Sequence, residues 1–364
     1  MTLCNRLARP EIVALTPYSS ARREHQGGTL FLNANESPWN NSSVDNLNRY
    51  PDCQPSQLRQ QYAAYAGVAP EQVLITRGAD EGIDLLIRGF CRPSQDAVGC
   101  LTPSYGMYAI SAATNAVCCE SIPWTRDYQL PRDFAERNQS NKLVFVCNPN
   151  NPTGTVIAPH AIAQLATQLP DSLLVVDEAY IEFSPSLSAI SLLAAHPNLV
   201  ILRTLSKAFG LAGARCGFVL ASSDIIALLE KVIAPYPVSE PVSQLACLAT
   251  SAHGLELMRQ QVQQLNQLRE QFCDGLSQLS CVKCLLPSNA NFVLFQCHSR
   301  QQAEHLYQGL IQQGILIRRY QQAALSGWLR VSVGDAQQMD TLMQQLTQLN
   351  AEASQLHATR KEYS

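Results

Sequence analysis

The alternation of short apolar runs with helix-patterned segments constrains this chain more than any other feature. Runs at 73–76, 97–101, 143–147, 172–176 and 199–202 are apolar almost throughout, and each leads into a polar turn. Residues 56–65, 161–169 and 224–234 have helical spacing, and from Asp80 onward Ile83, Leu86, Ile87 and Phe90 recur at i, i+3, i+4 and i+7. A strand without polar alternation must be covered on both faces, and strands joined through helices pair in parallel. The expected fold class is therefore α/β: a large, mostly parallel sheet between two layers of helices. In such sheets ligands gather beyond the carboxyl ends of the strands. Gly78, Tyr105, Asn151, Asp177 and Lys207 all follow such ends, so the topology alone can bring them to one crevice.

The last run opens the most informative stretch, L-V-I-L-R-T-L-S-K-A-F-G-L-A-G-A-R-C-G-F over residues 199–218. A lysine after a strand is ordinarily a surface residue. Lys207, however, stands among small, apolar and hydroxyl side chains. An amine kept from water loses its preference for the ammonium form, so its pKa falls and it becomes a nucleophile. Ser206 and Arg215, the latter eight residues beyond the lysine, supply the hydroxyl and guanidinium that hold a phosphate dianion. Where run 73–76 passes through Gly78 into a helix, the free amides of Ala79 and Asp80 and the positive dipole end point to one spot, a ready anion site. The turn carries neither G-x-G-x-x-G nor a Walker pattern, which argues against dinucleotide or ATP-type binding.

N-P-N-N-P-T-G at 148–154 presents the Asn151 amide just before Pro152, and D-E-A-Y places Asp177 and Tyr180 at a strand end. Tyr105 follows the run at 97–101, where an aromatic can stack on a planar ring, although ordinary packing is the commoner use. These groups fit one cofactor, pyridoxal 5'-phosphate. A pyridine ring used as an electron sink must stay protonated on nitrogen, which the Asp177 carboxylate favours. Asn151 and Tyr180 can donate to the phenolic oxygen. Lys207 joins the aldehyde as an imine and, once displaced by the substrate amine, moves a proton as general acid and base. Ser206, Arg215 and the amides at Ala79 and Asp80 take the phosphate.

The chain has 364 residues, more than one hydrophobic core usually supports, so two domains are expected. Leu255, Met258, Val262, Leu265, Leu268, Phe272, Leu276 and Leu279 step by three and four, giving a long helix that leads into a second part. There strands at 291–295 and 329–333 alternate with helices near 303–311 and 339–349, a smaller α+β unit. The expected division is an N-terminal arm at 1–30, a large cofactor-binding domain at 31–250, a small C-terminal domain at 251–350, and a polar, mobile tail at 351–364. A net charge of −3 gives no broad basic surface, so nucleic acid is not an expected partner. No run approaches the roughly 18 apolar residues of a membrane span. The 13 cysteines, an odd number without a secretory leader, suggest free thiols and a cytoplasmic location. Cys281 and Cys284 form a C-x-x-C with Cys297 and His298 downstream, but a zinc site would need all of them at tetrahedral positions, and no metal is expected.

The motifs N-P-N-N-P-T-G, D-E-A-Y-I-E-F, R-T-L-S-K-A-F-G-L-A-G-A-R-C-G and L-R-V-S-V-G, with the amino-terminal L-T-P-Y-S-S-A-R-R, L-N-A-N-E and N-R-Y-P-D-C-Q-P, closely resemble those of the histidinol-phosphate aminotransferases of the enterobacterial type. That family belongs to the fold-type I pyridoxal-phosphate transferases, and the likeness runs over residues 10–350. The resemblance implies transamination of L-histidinol phosphate with 2-oxoglutarate in histidine biosynthesis, through two half-reactions. It also implies that Tyr105 stacks on the pyridine ring and that Tyr50, which by itself reads only as a turn residue, reaches the cofactor phosphate of another subunit. A homodimer with shared active sites follows. Tyr18, in a segment that alone reads as a solvated basic patch, would touch the substrate phosphate. Arg330 would take the glutamate α-carboxylate in one half-reaction and the substrate phosphate in the other, with Arg318 assisting. The related threonine-phosphate decarboxylases share the fold and cofactor residues, and a non-catalytic sensor that binds the same cofactor is the reading from a different class. The final 351–364 stretch lies outside the family pattern.

Overall fold

A computed structural model of the chain describes residues 2–17, 30–42 and 44–362. Its larger sheet comprises β1 (Val73–Thr76), β2 (Ala97–Thr102), β3 (Cys118–Pro123), β4 (Leu143–Cys147), β5 (Leu173–Asp177), β6 (Leu199–Thr204) and β7 (Gly217–Leu220), in the order β1-β7-β6-β5-β4-β2-β3. The pairs from β3 through β6 are parallel, while β7 is antiparallel to both β6 and β1. β1 therefore points the same way as β6, and the carboxyl ends of β1, β2, β4, β5 and β6 share one edge.

Alternate residues of each central strand enter opposite cores, as the pleat requires. Ile75, Val144, Val146, Leu174, Val176 and Ile201 pack on one face with helices Ser56–Ala66 and Pro159–Gln168. Leu74, Leu143, Phe145, Leu173, Val175 and Leu202 pack on the other with Ala79–Phe90, Met107–Thr114 and Ser223–Leu229. The fold is thus the α/β sandwich the apolar runs predict, with the antiparallel β7 and the edge strand β3 in addition.

The first residues, expected to form an arm with little regular structure, instead fold into short helices at Leu3–Leu7 and Pro10–Val13. Cys4 and Leu7 are buried in the second core, so packing rather than periodicity orders this segment.

Helix Ala252–Ser277 leaves the first core through Met258 and Val262 and enters a separate one through Phe272 and Leu276. That core underlies an antiparallel sheet of β8 (Val282–Leu285), β9 (Phe292–Cys297), β10 (Arg318–Arg319) and β11 (Trp328–Ser332), ordered β10-β11-β9-β8. Helices Arg300–Gln312 and Ala336–Glu362 cover it. The latter carries the backbone of the expected tail in helical form as far as Glu362. Cys281 and Cys297 are buried while Cys284 is exposed. Among the described residues no cluster of His, Cys, Asp or Glu is arranged to hold a metal ion, and no helix is long and apolar enough to cross a membrane.

Candidate active site

The shared edge of the parallel strands is where the chemistry collects. Beyond β6 the chain folds into a tight loop: Leu205 N–H donates to the Cys216 carbonyl at 3.0 Å, and Leu211 N–H to the Leu205 carbonyl at 3.0 Å. Ser206 N–H donates to Thr204 Oγ1 at 3.1 Å, which fixes the residue before the lysine. Lys207 is only partly exposed and its Nζ lies 5.4 Å from the centre of the Tyr180 ring. Burial lowers its pKa below the ordinary lysine range, and the nearby Arg330 guanidinium lowers it further, against the pull of Asp80 and Asp177.

β5 ends on Asp177, which is 2% exposed. Its Oδ1 accepts from Ala179 N–H at 3.1 Å and its Oδ2 from the Tyr108 hydroxyl at 2.7 Å. Burial pushes this carboxyl up to about 6, and both hydrogen bonds act against that rise. Beyond β4, the asparagines of the N-P-N-N-P loop divide the work. Asn148 bonds the backbone of Ile157 in both directions, at 3.0 and 2.8 Å. Asn150 donates to the Pro103 carbonyl at 3.1 Å and accepts from Ser104 at 2.7 Å. With the loop stitched by those two, Asn151 is left to face the cavity. Its Nδ2 lies 3.5 Å from the Tyr180 hydroxyl and its Oδ1 accepts from Arg330 Nη1.

β1 turns through Gly78, at φ +91°, into the helix that begins at Ala79. That conformation calls for glycine, and an added Cβ would lie 2.9 Å from Arg215 Nη2, displacing the guanidinium tip from its place beside the turn. Arg215 itself holds the left-handed φ of +54°. It donates to Ser206 Oγ at 3.4 Å and to Asp80 Oδ2 at 3.2 Å, and Tyr105 donates to Asp80 Oδ1 at 2.9 Å. Gly217, opening β7, lies against the same turn, where an added Cβ would meet Gly78 C at 2.5 Å and Ala79 N at 2.6 Å. Gly217→Ala is therefore expected to cost about 1–3 kcal/mol of folding free energy through forced backbone displacement. An unchanged denaturation midpoint would show instead that the turn moves freely.

Ala79, Asp80, Tyr105, Asn151, Asp177, Tyr180, Ser206, Lys207, Arg215 and Arg330 line one cavity of about 270 Å3. Arg330 reaches it from β11, and its buried Nε has no hydrogen-bond partner among the described residues. Arg318 pairs with Arg330 across β10 and β11 but is exposed and does not line the cavity. Tyr50 is also outside the lining, 49% exposed and stacked on Tyr236 with ring centres 4.5 Å apart. Tyr18 lies outside the described residues. Unanticipated contributors are Tyr108 under Asp177, Thr204 beneath Ser206, and the side chain of Asp80, expected to act through its amide alone. Only the nearness in sequence of Tyr108, in helix Met107–Thr114, to Tyr105 just before that helix could have hinted at the first of these.

The arrangement fits pyridoxal phosphate on the cavity's own chemistry. A buried carboxylate hydrogen-bonded only by neutral donors suits a protonated ring nitrogen. The helix amino terminus, Ser206 and Arg215 suit a phosphate dianion.

A family model described as aminotransferase class I and II matches residues 31–346 of the chain. The histidinol-phosphate aminotransferase of Shewanella amazonensis is 48% identical over 356 residues, covering 96% of this chain and 97% of that one. The Yersinia pestis protein of the same name is 46% identical over 349 residues, covering 94% and 91%. Among solved structures, the histidinol-phosphate aminotransferase from Sinorhizobium meliloti in complex with pyridoxal-5'-phosphate matches with a TM-score of 0.76 at 25% identity, over 84% of each chain. The L-threonine-O-3-phosphate decarboxylase of Porphyromonas gingivalis shares the fold, at a TM-score of 0.70 and 20% identity over 83% of this chain and 93% of that one.

Proposed function

The chain belongs to the class I and II aminotransferases, and on that premise we propose how its cavity carries out transamination of L-histidinol phosphate with 2-oxoglutarate, giving imidazole-acetol phosphate and L-glutamate. The observation that carries the reading is the convergence of Lys207, Asp177, Asn151, Tyr180, Arg215 and Arg330 on one cavity. When bound, pyridoxal phosphate supplies an electron sink for the substrate carbon. Ser206, Arg215 and the amides of Ala79 and Asp80 would hold its phosphate, and Tyr105 would flank the ring. Asp177, as a carboxylate, would accept a hydrogen bond from the protonated ring nitrogen, and Asn151 and Tyr180 would donate to the phenolic oxygen. Lys207 would be the covalent anchor and, once displaced by the substrate amine, would as a neutral amine move a proton between the substrate carbon and the cofactor carbon. Arg330 receives the carboxylate of one substrate and the phosphate of the other, since a planar guanidinium pairs with either oxyanion. Its unpartnered Nε supports that role.

We further propose a homodimer in which Tyr50 reaches the cofactor phosphate of the neighbouring subunit, Tyr18 contacts the substrate phosphate and Arg318 assists Arg330. The exposure of Tyr50, Trp39 and Leu32 supports an interface on that side, and a monomer by sedimentation equilibrium would refute it. We likewise propose domain divisions at 30, 250 and 350 and a cytoplasmic location, the latter tested by cell fractionation. The central reading is tested by the absorbance spectrum of the purified protein. Histidinol phosphate should abolish the band of the lysine-bound cofactor and 2-oxoglutarate should restore it, with glutamate rather than carbon dioxide as product. A band indifferent to histidinol phosphate would overturn the assignment.

A further inference from the structure

Tyr108 is wholly buried at the start of helix Met107–Thr114, its ring flat against Phe145 with centres 4.9 Å apart and planes 8° from parallel. That stacking fixes where its hydroxyl points, which is at Asp177 Oδ2, 2.7 Å away. The other oxygen, Oδ1, is tied to the Ala179 amide at 3.1 Å. With one donor on each oxygen the carboxylate cannot turn about its own axis without breaking a buried hydrogen bond. Resting on the reading of this cavity as a pyridoxal-phosphate site, we propose that Tyr108 is a positioning residue, which through its hydroxyl orients Asp177 toward the cofactor's ring nitrogen and keeps it ionised there.

Several observations support this assignment over simple packing. Asp177 is in a buried environment that disfavours its charge, and the Tyr108 hydrogen bond is the main influence opposing that burial. Its register neighbour on β4 is Cys147, whose thiol is itself pushed up by burial and so is neutral near pH 7. The Tyr108 phenol, also raised by burial, remains a donor throughout the working range. A phenylalanine would preserve the stack on Phe145 and lose only the hydroxyl.

The test measures binding rather than turnover. Apo-protein is reconstituted with pyridoxal phosphate and with an analogue carrying CH in place of the ring nitrogen. Tyr108→Phe should weaken pyridoxal phosphate by roughly ten- to a hundredfold, the worth of a hydrogen bond to a charged group, and leave the analogue's affinity unchanged. In an Asp177→Asn background the same substitution should have no further effect on either ligand. Equal weakening of both ligands would reduce Tyr108 to packing, and no weakening of pyridoxal phosphate would remove the hydrogen bond from the account. Either result overturns the proposal while the cofactor assignment stands. A wild-type protein that forms no Lys207-dependent absorbance band with either ligand removes the cofactor reading and the proposal with it.

Discussion

Lys207→Ala is expected to leave transamination at least ~10^4-fold slower while the protein remains folded, because proton transfer by a placed side chain alone contributes about 10^2–10^4-fold and the lysine is also the covalent anchor. Folding should survive because burial already disfavours the charged lysine, so removing it relieves a desolvation cost rather than creating one. Lys207→Arg should fail as badly: a guanidinium keeps the charge but stays protonated, and so supplies neither nucleophile nor base. The lowered lysine pKa also fixes a sign for the pH dependence of cofactor capture by the apo-protein: the neutral amine predominates above its pKa, so capture should set in below the ordinary lysine range near pH 10.4. Single-turnover conversion of histidinol phosphate with a thermal midpoint alongside checks the variants, and the pH dependence of cofactor uptake by apo-protein checks the sign. A loss smaller than about 100-fold would be less than proton transfer alone accounts for, and would take Lys207 out of the chemistry.

The sheet was legible where strands are buried on both faces, because an unbroken apolar run such as L-V-F-V-C at 143–147 admits few other readings. β7 is not legible, for the opposite reason: it is four residues long and begins at the glycine that closes the Lys207 loop, so its sequence reads as more of that loop. β3 is an edge strand with mostly exposed residues and lacks the apolar signal altogether. The amino-terminal helices are too short to show a period, and they hold because Cys4 and Leu7 reach a core made by residues far along the chain. The same distinction runs through the site. Residues at strand ends could be found by their position after apolar runs. Tyr108 could not, since its partner Asp177 lies 69 residues away and no local pattern encodes that meeting. The Asp80 carboxylate, paired with an arginine 135 residues on, is another tertiary fact of this kind.

Arg203→Ala is expected to be the most damaging substitution outside the cavity, at about 3–5 kcal/mol, because removing one partner of a buried ion pair strands the other charge. Arg203 on β6 is 5% exposed and is shared by carboxylates that are themselves buried: Glu178 at 2.7 Å and Glu182 at 3.3 Å. It also donates to Ser188 Oγ at 3.0 Å, and Glu178 accepts from the Ala189 amide at 2.6 Å. The cluster therefore clamps the strand that delivers Lys207 to the turn that follows Asp177. Glu182 already titrates above its ordinary value because of burial, with Arg203 the main influence holding it down. Without the arginine it must rise further. A carboxyl whose folded pKa exceeds its unfolded one favours folding below the unfolded value, and that contribution is lost as pH climbs through the folded value. The stability deficit of Arg203→Ala should consequently be small near pH 4–5 and grow toward pH 8, and urea unfolding midpoints of variant and wild type at the two ends measure it. A deficit of equal size at both would mean that only packing was lost. The pH-dependent outcome would instead show that the frame beneath the active site is held by charge balance, which couples the position of Lys207 to that of Asp177 from the side opposite the cavity.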